Sequence, residues 1–203
     1  MSAPLGIVLA GGLSRRMGQD KTALPFGDDT LLGHALARLG AQCARVAVNA
    51  GSRAGLPSGV DVIPDDIAGY AGPLAGVAAG LAQARRLGFS RVVTIAADTP
   101  FFPETLVAAL CAAATEPDAI AVAEIGGEWH PAFALWPVAL EDDLRHWLSD
   151  PGNRRLKAFI RRHPHRAVSF PLIPTGEGAI DPFFNINTPD DYRRALALRE
   201  IMA

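Results

Sequence analysis

Leu9-Ala10-Gly11-Gly12-Leu13-Ser14-Arg15-Arg16-Met17-Gly18-Gln19-Asp20-Lys21 directly follows the apolar run Leu5, Ile7, Val8, Leu9. An apolar run that breaks abruptly into glycine and basic residues reads as a buried β-strand leaving its sheet. Glycine has no Cβ and tolerates positive φ, so Gly11, Gly12 and Gly18 let bare backbone N–H groups close on an anion. Arg15, Arg16 and Lys21 place three cations beside that cradle. The combination suits a ligand with several phosphates. It is neither the P-loop spacing nor G-x-G-x-x-G. The plain alternative is a strand-to-helix turn with basic surface residues. A turn, however, needs only one or two of these features.

Outward from the loop, short apolar runs alternate with stretches of helical period. Val46–Asn49, Val60–Ile63, Arg91–Ala97, Ala119–Ala123, Ala132–Trp136 and Ala167–Phe170 read as further strands. Leu31–Ala41, Leu74–Leu87, Glu104–Ala114, Val138–Leu148 and Arg155–Arg162 read as helices. Thr188, Pro189 and Asp191 make an N-cap and first turn for a last helix running to Met202. Leu172–Ile180 reads as loop. This alternation predicts an α/β fold, a single-domain, doubly wound, mostly parallel sheet of Rossmann-like type spanning residues 1–203. Ligands of such sheets sit at the carboxyl ends of the strands. The glycine loop, Asn49, Asp65 and Asp98 all follow predicted strands, so they are expected to converge on one edge.

With 203 residues, 49% hydrophobic and 20% charged, the chain can bury one sizeable core and is not of disordered type. A net charge of −2 argues against bulk nucleic-acid binding. The longest apolar runs fall short of a membrane span. No basic region precedes the first strand, so no signal peptide and a cytoplasmic location are expected. Cys43 and Cys111 are isolated, and read as small core hydrophobes of a reducing compartment rather than a disulfide or metal pair.

Asp98 ends the most apolar strand, and Pro100 keeps Thr99 extended and delays any helix. A carboxylate held at the strand's mouth suits Mg2+, which takes one or two carboxylates, water and phosphate oxygens. The alternative is an N-cap for the following helix. Lys21 and one or both of Arg15 and Arg16 would neutralise charge that develops on a phosphorus centre and its leaving group. Asp65, or its neighbour Asp66, could meet a ligand at the strand mouth, or could close an Asx-turn. Asn49, Asn185 and Asn187 could bond a ligand or cap strands and loops. His130 is a lone histidine before a strand, and Arg154–Arg162 could simply be a solvated helix face.

The loop quoted above resembles the signature of the molybdenum cofactor guanylyltransferases, a molybdopterin guanylyltransferase family within the nucleotidyltransferase superfamily. Six further stretches match in order: VAVNAG ending at Gly51, VIPDD at Asp66, GYAGPLAG at Gly76, AADTPF at Phe101, HPAFALW at Trp136 and NINTPDD at Asp191. Together they cover nearly the whole chain. The resemblance implies a Mg2+-dependent enzyme that moves GMP from GTP to the terminal phosphate of molybdenum-molybdopterin. It implies nucleotide contacts from Leu9, Ala10, Gly11, Gly12, Lys21, Asn49, Asp65 and Asp98. It assigns catalysis to Lys21, Asp98, Arg15 and Arg16, and the metal to Asp98. The acceptor side would fall to His130, Arg154, Arg155, Lys157, Asn185 and Asn187. Molybdopterin-loading proteins and apo-molybdoenzymes are the implied protein partners. The cytidylyl counterpart usually carries Ala-Ala-Gly where this chain has Ala10-Gly11-Gly12, and the extra glycine leaves room for a purine. Other readings are a sugar-1-phosphate nucleotidyltransferase, which the short length and HPAFALW disfavour, and a non-catalytic nucleotide-binding module, which Lys21 and Asp98 disfavour.

Overall fold

Leu5–Leu9 (β1) is buried at every residue, as an apolar strand covered on both faces must be. The computed structural model describes residues 3–11, 23–53, 56–67, 72–176 and 178–202. Pro25–Phe26 (β2) and Asp29–Thr30 (β3) form a small hairpin that leads into Leu31–Gly40 (α1). Then come Arg45–Asn49 (β4), Asp61–Ile63 (β5), Pro73–Leu87 (α2), Arg91–Ala96 (β6) and Leu106–Ala113 (α3). Ile120–Ile125 (β7), Glu128–Pro137 (β8), Glu141–Leu148 (α4), Leu156–Ile160 (α5) and His165–Ser169 (β9) follow. Ile173–Thr175 (β10), Gly178–Ile180 (β11) and Pro189–Met202 (α6) close the chain.

Seven strands form one sheet in the order β5-β4-β1-β6-β8-β7-β9. Strands β5, β4, β1 and β6 pair in parallel, β7 pairs in parallel with β9, and β8 runs antiparallel to both β6 and β7. The mostly parallel, doubly wound sheet expected from the alternation is present. Ile7, Leu9, Val92, Val122 and Trp136 face α2, α4 and α5; Val8, Val48, Val93, Ile95 and Leu135 face α1 and α3. A third cluster, with Phe26, Leu31, Phe101, Ile186, Ala195 and Leu198, anchors α6 against the β2–β3 hairpin.

Three local features differ from the sequence reading. Leu172–Ile180, read as loop, contains the β10–β11 hairpin, too short and too poor in apolar alternation to be seen as strands. The β2–β3 hairpin was likewise not expected. Strands β7 and β8 run on past their apolar stretches to a two-residue turn, where Gly126 (φ 58°) and Gly127 (φ 87°) supply the left-handed pair that a type I′ turn needs.

The register of β7 on β8 jumps, so that Val122 faces Ala134 while Ala123 faces His130. Pro131, Ala132 and Phe133 are looped out between them. Pro131 has no N–H to leave unpaired there. The buried Thr94 hydroxyl fills the gap, donating to the Ala132 carbonyl at 2.8 Å and accepting the Trp136 indole N–H at 2.9 Å.

Candidate active site

Three strand exits meet at one edge of the sheet. The Ala10 N–H donates to the Asn49 carbonyl at 3.0 Å, and the Ala97 N–H to the Leu9 carbonyl at 3.2 Å. The exit of β1 is therefore bracketed by those of β4 and β6, and the chain from Leu9 to Gly11 passes between Asn49 and the segment that carries Asp98. Gly12, Arg15, Arg16 and Lys21 lie outside the described residues.

Asn49 is almost fully buried, with 4% of its surface exposed. Its amide donates to the Ile63 carbonyl at 3.1 Å and to Asp65 Oδ1 at 2.8 Å. Its Oδ1 faces Gly76 on α2, where a Cβ would come within 2.2 Å of it, and Gly11, where a Cβ would lie 3.6 Å away. The glycine at position 76 thus lets α2 approach close enough to lock Asn49, and Asn49 in turn orients Asp65. Gly72 (φ 65°) and Pro73 open α2 just beyond this point.

The neighbouring carboxylates, which sequence alone left open, are separated by the fold. Asp65 bonds Asn49 at the strand mouth, whereas Asp66 Oδ2 pairs with Arg145 Nη2 on α4 at 2.5 Å. Arg145 also reaches Glu141 at 3.1 Å. Asp66 belongs to that surface network.

Asp98 lies one residue past Ala97 at the mouth of β6 and is half-buried. Helix α3 begins at Leu106, too far along to be capped by it. The Ile186 N–H donates to the Asp98 carbonyl at 2.9 Å. The fully buried Thr99 hydroxyl donates to Asn185 Oδ1. Asn185 and Asn187 flank Ile186, so the fold brings both to the Asp98 segment. The Asn187 and Thr188 N–H groups donate to Asp191 Oδ2 at 3.0 and 2.9 Å, and Thr188 Oγ1 accepts the Asp191 N–H at 3.1 Å. That reciprocal cap sets the start of α6 where the sequence predicts it.

His130 sits on β8 next to the bulge. Its Nε2 lies 3.6 Å from Asp181 Oδ2, and its ring stacks 4.7 Å from that of Phe183. Burial pushes its pKa down, the Asp181 carboxylate pulling the other way, so at neutral pH it offers a hydrogen bond rather than a charge. Asp181 was not foreseen, because its only signal was an acid at the end of a stretch read as loop. Of the basic group, Arg154 donates to the Leu148 and Asp150 carbonyls at 2.9 and 3.3 Å and so closes the C-terminus of α4. Lys157 pairs with the exposed Glu128 at 3.2 Å, and Arg155 is exposed. Cys43 and Cys111 are free, and burial pushes the Cys43 thiol up to about 12, which makes it inert.

A mostly parallel sheet with a glycine-bearing strand exit, a buried asparagine, and carboxylates past two strands on the same edge is the arrangement of an α/β protein of the nucleotidyltransferase class. The family of the MobA-like NTP transferase domain matches residues 6–167. The chain belongs to this family. It is 48% identical to the molybdenum cofactor guanylyltransferase of Rhizobium meliloti (strain 1021), over 96% of this chain and 91% of that protein. Among solved structures it resembles a homologue of Mycobacterium tuberculosis rv0371c from Mycobacterium sp. strain JC1, at 27% identity and a TM-score of 0.73, covering 98% of each chain. It shares its fold with the molybdopterin-guanine dinucleotide biosynthesis protein A of Archaeoglobus fulgidus, at 22% identity and a TM-score of 0.74, covering 97% of this chain and 98% of that one.

Proposed function

We infer that this protein transfers GMP from GTP to the terminal phosphate of molybdenum-molybdopterin, giving the guanine dinucleotide form of the cofactor and pyrophosphate. The observation that carries the reading is the Asn49–Asp65 pair, a carboxylate fixed by a buried amide beside the Ala10–Gly11 turn, in a chain 48% identical to a guanylyltransferase. An oriented carboxylate can accept from guanine N1–H and N2–H2 together, a pair that cytosine lacks. Asp65 rather than Asp66 is assigned this role, because Asp66 is held by Arg145.

The acceptor phosphate is ionised at neutral pH and needs no strong general base. One of its oxygens attacks the α-phosphorus in line; a P–O bond forms there as the bond to the β-phosphate oxygen breaks and pyrophosphate leaves. The chain's contribution is position and charge. Leu9, Ala10, Gly11 and Gly12 would cradle phosphate with their backbone N–H groups, and Lys21 with Arg15 or Arg16 would meet the negative charge that develops. Asn185 and Asn187, Arg155, Lys157 and neutral His130 stand toward the acceptor; Arg154 contributes there through the helix end it closes.

The donor set at Asp98 fits Mg2+. The described residues contain no group of three or more metal-ligating side chains, and Mg2+ in nucleotide sites takes one or two carboxylates and fills its remaining positions with water and phosphate. Asp98 would hold it, and the ion would supply charge neutralisation on the triphosphate. No helix among the described residues is long and apolar enough to cross a membrane. Molybdopterin-loading proteins and apo-molybdoenzymes are the partners this product requires.

The test is anaerobic turnover of molybdenum-loaded molybdopterin with Mg2+ and either GTP or CTP, followed by acid release of the nucleotide. GMP formed from GTP alone is expected. CMP from CTP would overturn the assignment of Asp65, and transfer of neither nucleotide would overturn the acceptor.

A further inference from the structure

The segment from Asp98 to Thr105 has no regular structure, and Pro100 and Pro103 cannot donate. Its carbonyls nevertheless need partners where they are buried. They find them on α1 and the turn that follows it. His34 Nε2 lies 3.0 Å from the Pro100 carbonyl. One turn on, Arg38 Nε donates to the Phe102 carbonyl and its Nη1 reaches Glu104 at 3.3 Å. One turn further, Gln42 Nε2 donates to the Pro103 carbonyl at 3.3 Å, while Gln42 Oε1 accepts the Val107 N–H at 3.0 Å. That last bond caps α3, whose own Thr105 supplies no side-chain cap. Spacing of four residues puts His34 and Arg38 on one face of α1, and Gln42 lies in the turn that follows the helix.

The same helix also touches the β2–β3 hairpin. The His34 ring meets Phe26 edge-on at 5.0 Å, and Phe26 meets Phe101 at 6.0 Å. Phe26 lies in the hairpin that the chain enters shortly after Lys21. Helix α1 therefore joins the β2–β3 hairpin to the segment that follows Asp98. The Pro100 carbonyl can only accept, so His34 carries a proton on Nε2.

We propose that His34, Arg38 and Gln42 form a positioning ladder: it fixes the segment after Asp98, and through it the Asp98 carboxylate, for the metal–nucleotide complex. The ladder touches neither nucleotide nor acceptor, and none of its members is a catalytic residue. The proposal rests on Asp98 being the metal ligand of the reading above.

The experiment titrates the full-length protein into Mn2+·GTP, without acceptor, and reads the enhancement of water-proton relaxation. GTP binding in EDTA, by calorimetry, is measured alongside. His34→Leu should weaken Mn2+·GTP binding about three- to tenfold, the equivalent of one neutral hydrogen bond, and leave binding in EDTA unchanged. His34→Gln presents an N–H at the reach of Nε2 and should stay within roughly twofold of the parent by the same reckoning. Should His34→Leu fail to fold, Arg38→Met carries the same expectation at the next rung. Unchanged Mn2+·GTP binding in the tested variant, equal weakening by His34→Leu and His34→Gln, or a parallel loss in EDTA overturns the ladder. Asp98→Asn separates the two claims. If it weakens Mn2+·GTP binding while His34→Leu does not, only the ladder falls; if Asp98→Asn binds as the parent does, the metal assignment falls and the ladder with it.

Discussion

Gly76→Ala sets two sizeable effects against each other. In the interior of a helix such as α2, replacing glycine by alanine ordinarily gains up to about 1 kcal/mol, because the unfolded chain loses conformational freedom. Here the added Cβ would stand 2.2 Å from Asn49 Oδ1 and 2.7 Å from Leu9 Cδ2. Asn49 is buried and its amide is bonded to Ile63 and Asp65, so it cannot swing aside without breaking those bonds. Overpacking of this kind costs about 1–3 kcal/mol, and each hydrogen bond lost adds roughly 1 kcal/mol. The clash wins, and the net loss should be about 1–3 kcal/mol, a fall of about 2–12 °C in melting midpoint for a chain of this size. Displacing Asn49 also releases Asp65, so the KM for GTP should rise about tenfold, the equivalent of one charge-assisted hydrogen bond. Calorimetry and steady-state kinetics read the two effects. Gly80→Ala is the internal control: its Cβ would meet the Ile7 side chain, nearest at Cγ1, 2.9 Å away, and it should leave the KM for GTP alone. A Gly76→Ala protein as stable as the parent, with an unchanged KM, would refute the packing of Gly76 on Asn49 and the link from there to Asp65.

Asp65→Asn should raise the KM for GTP, whereas Asp66→Asn should leave it unchanged and shift stability by less than about 1 kcal/mol, since the Asp66–Arg145 pair is largely exposed; the reverse pattern in kinetics would exchange the two roles. Asp98→Asn should lower kcat by orders of magnitude while GTP still binds in EDTA, and retained turnover would show a non-catalytic carboxylate. Thr94→Val leaves the buried Trp136 indole N–H and the Ala132 carbonyl without their partner and should cost about 1–3 kcal/mol, read by denaturant unfolding. Burial lowers the pKa of His34, His130 and His163 below the ordinary 6.5. The unfolded chain therefore binds more protons than the folded one in the window beneath 6.5, so their contribution to stability is present above that value and is lost as pH falls. Melting midpoints should drop from about pH 7 to about pH 5.5, and less so in His163→Gln; a profile equally steep in that variant would remove His163 from the account.

The sequence by itself determined the alternation of strands and helices, because buried parallel strands demand continuous apolar runs and their covering helices demand a 3.6-residue stripe. It also placed Asn49, Asp65 and Asp98 after strands, and the strand-mouth rule then put them on one edge. The cap at Thr188 and Asp191 was legible for the same reason: its bonds are local. Tertiary structure decided what depended on partners distant in the chain. Asp65 and Asp66 are indistinguishable as neighbours until Arg145, 79 residues beyond Asp66, takes one of them. The β7–β8 bulge needs Thr94 from β6 to fill it, and the β10–β11 hairpin is too short to have a period of its own. In sequence, His34, Arg38 and Gln42 carry no signal of their own: two are polar positions of a predicted helix and the third follows its end. They become donors to the Asp98 segment only because the sheet lays that segment along α1, where its proline-broken backbone has bonds to make.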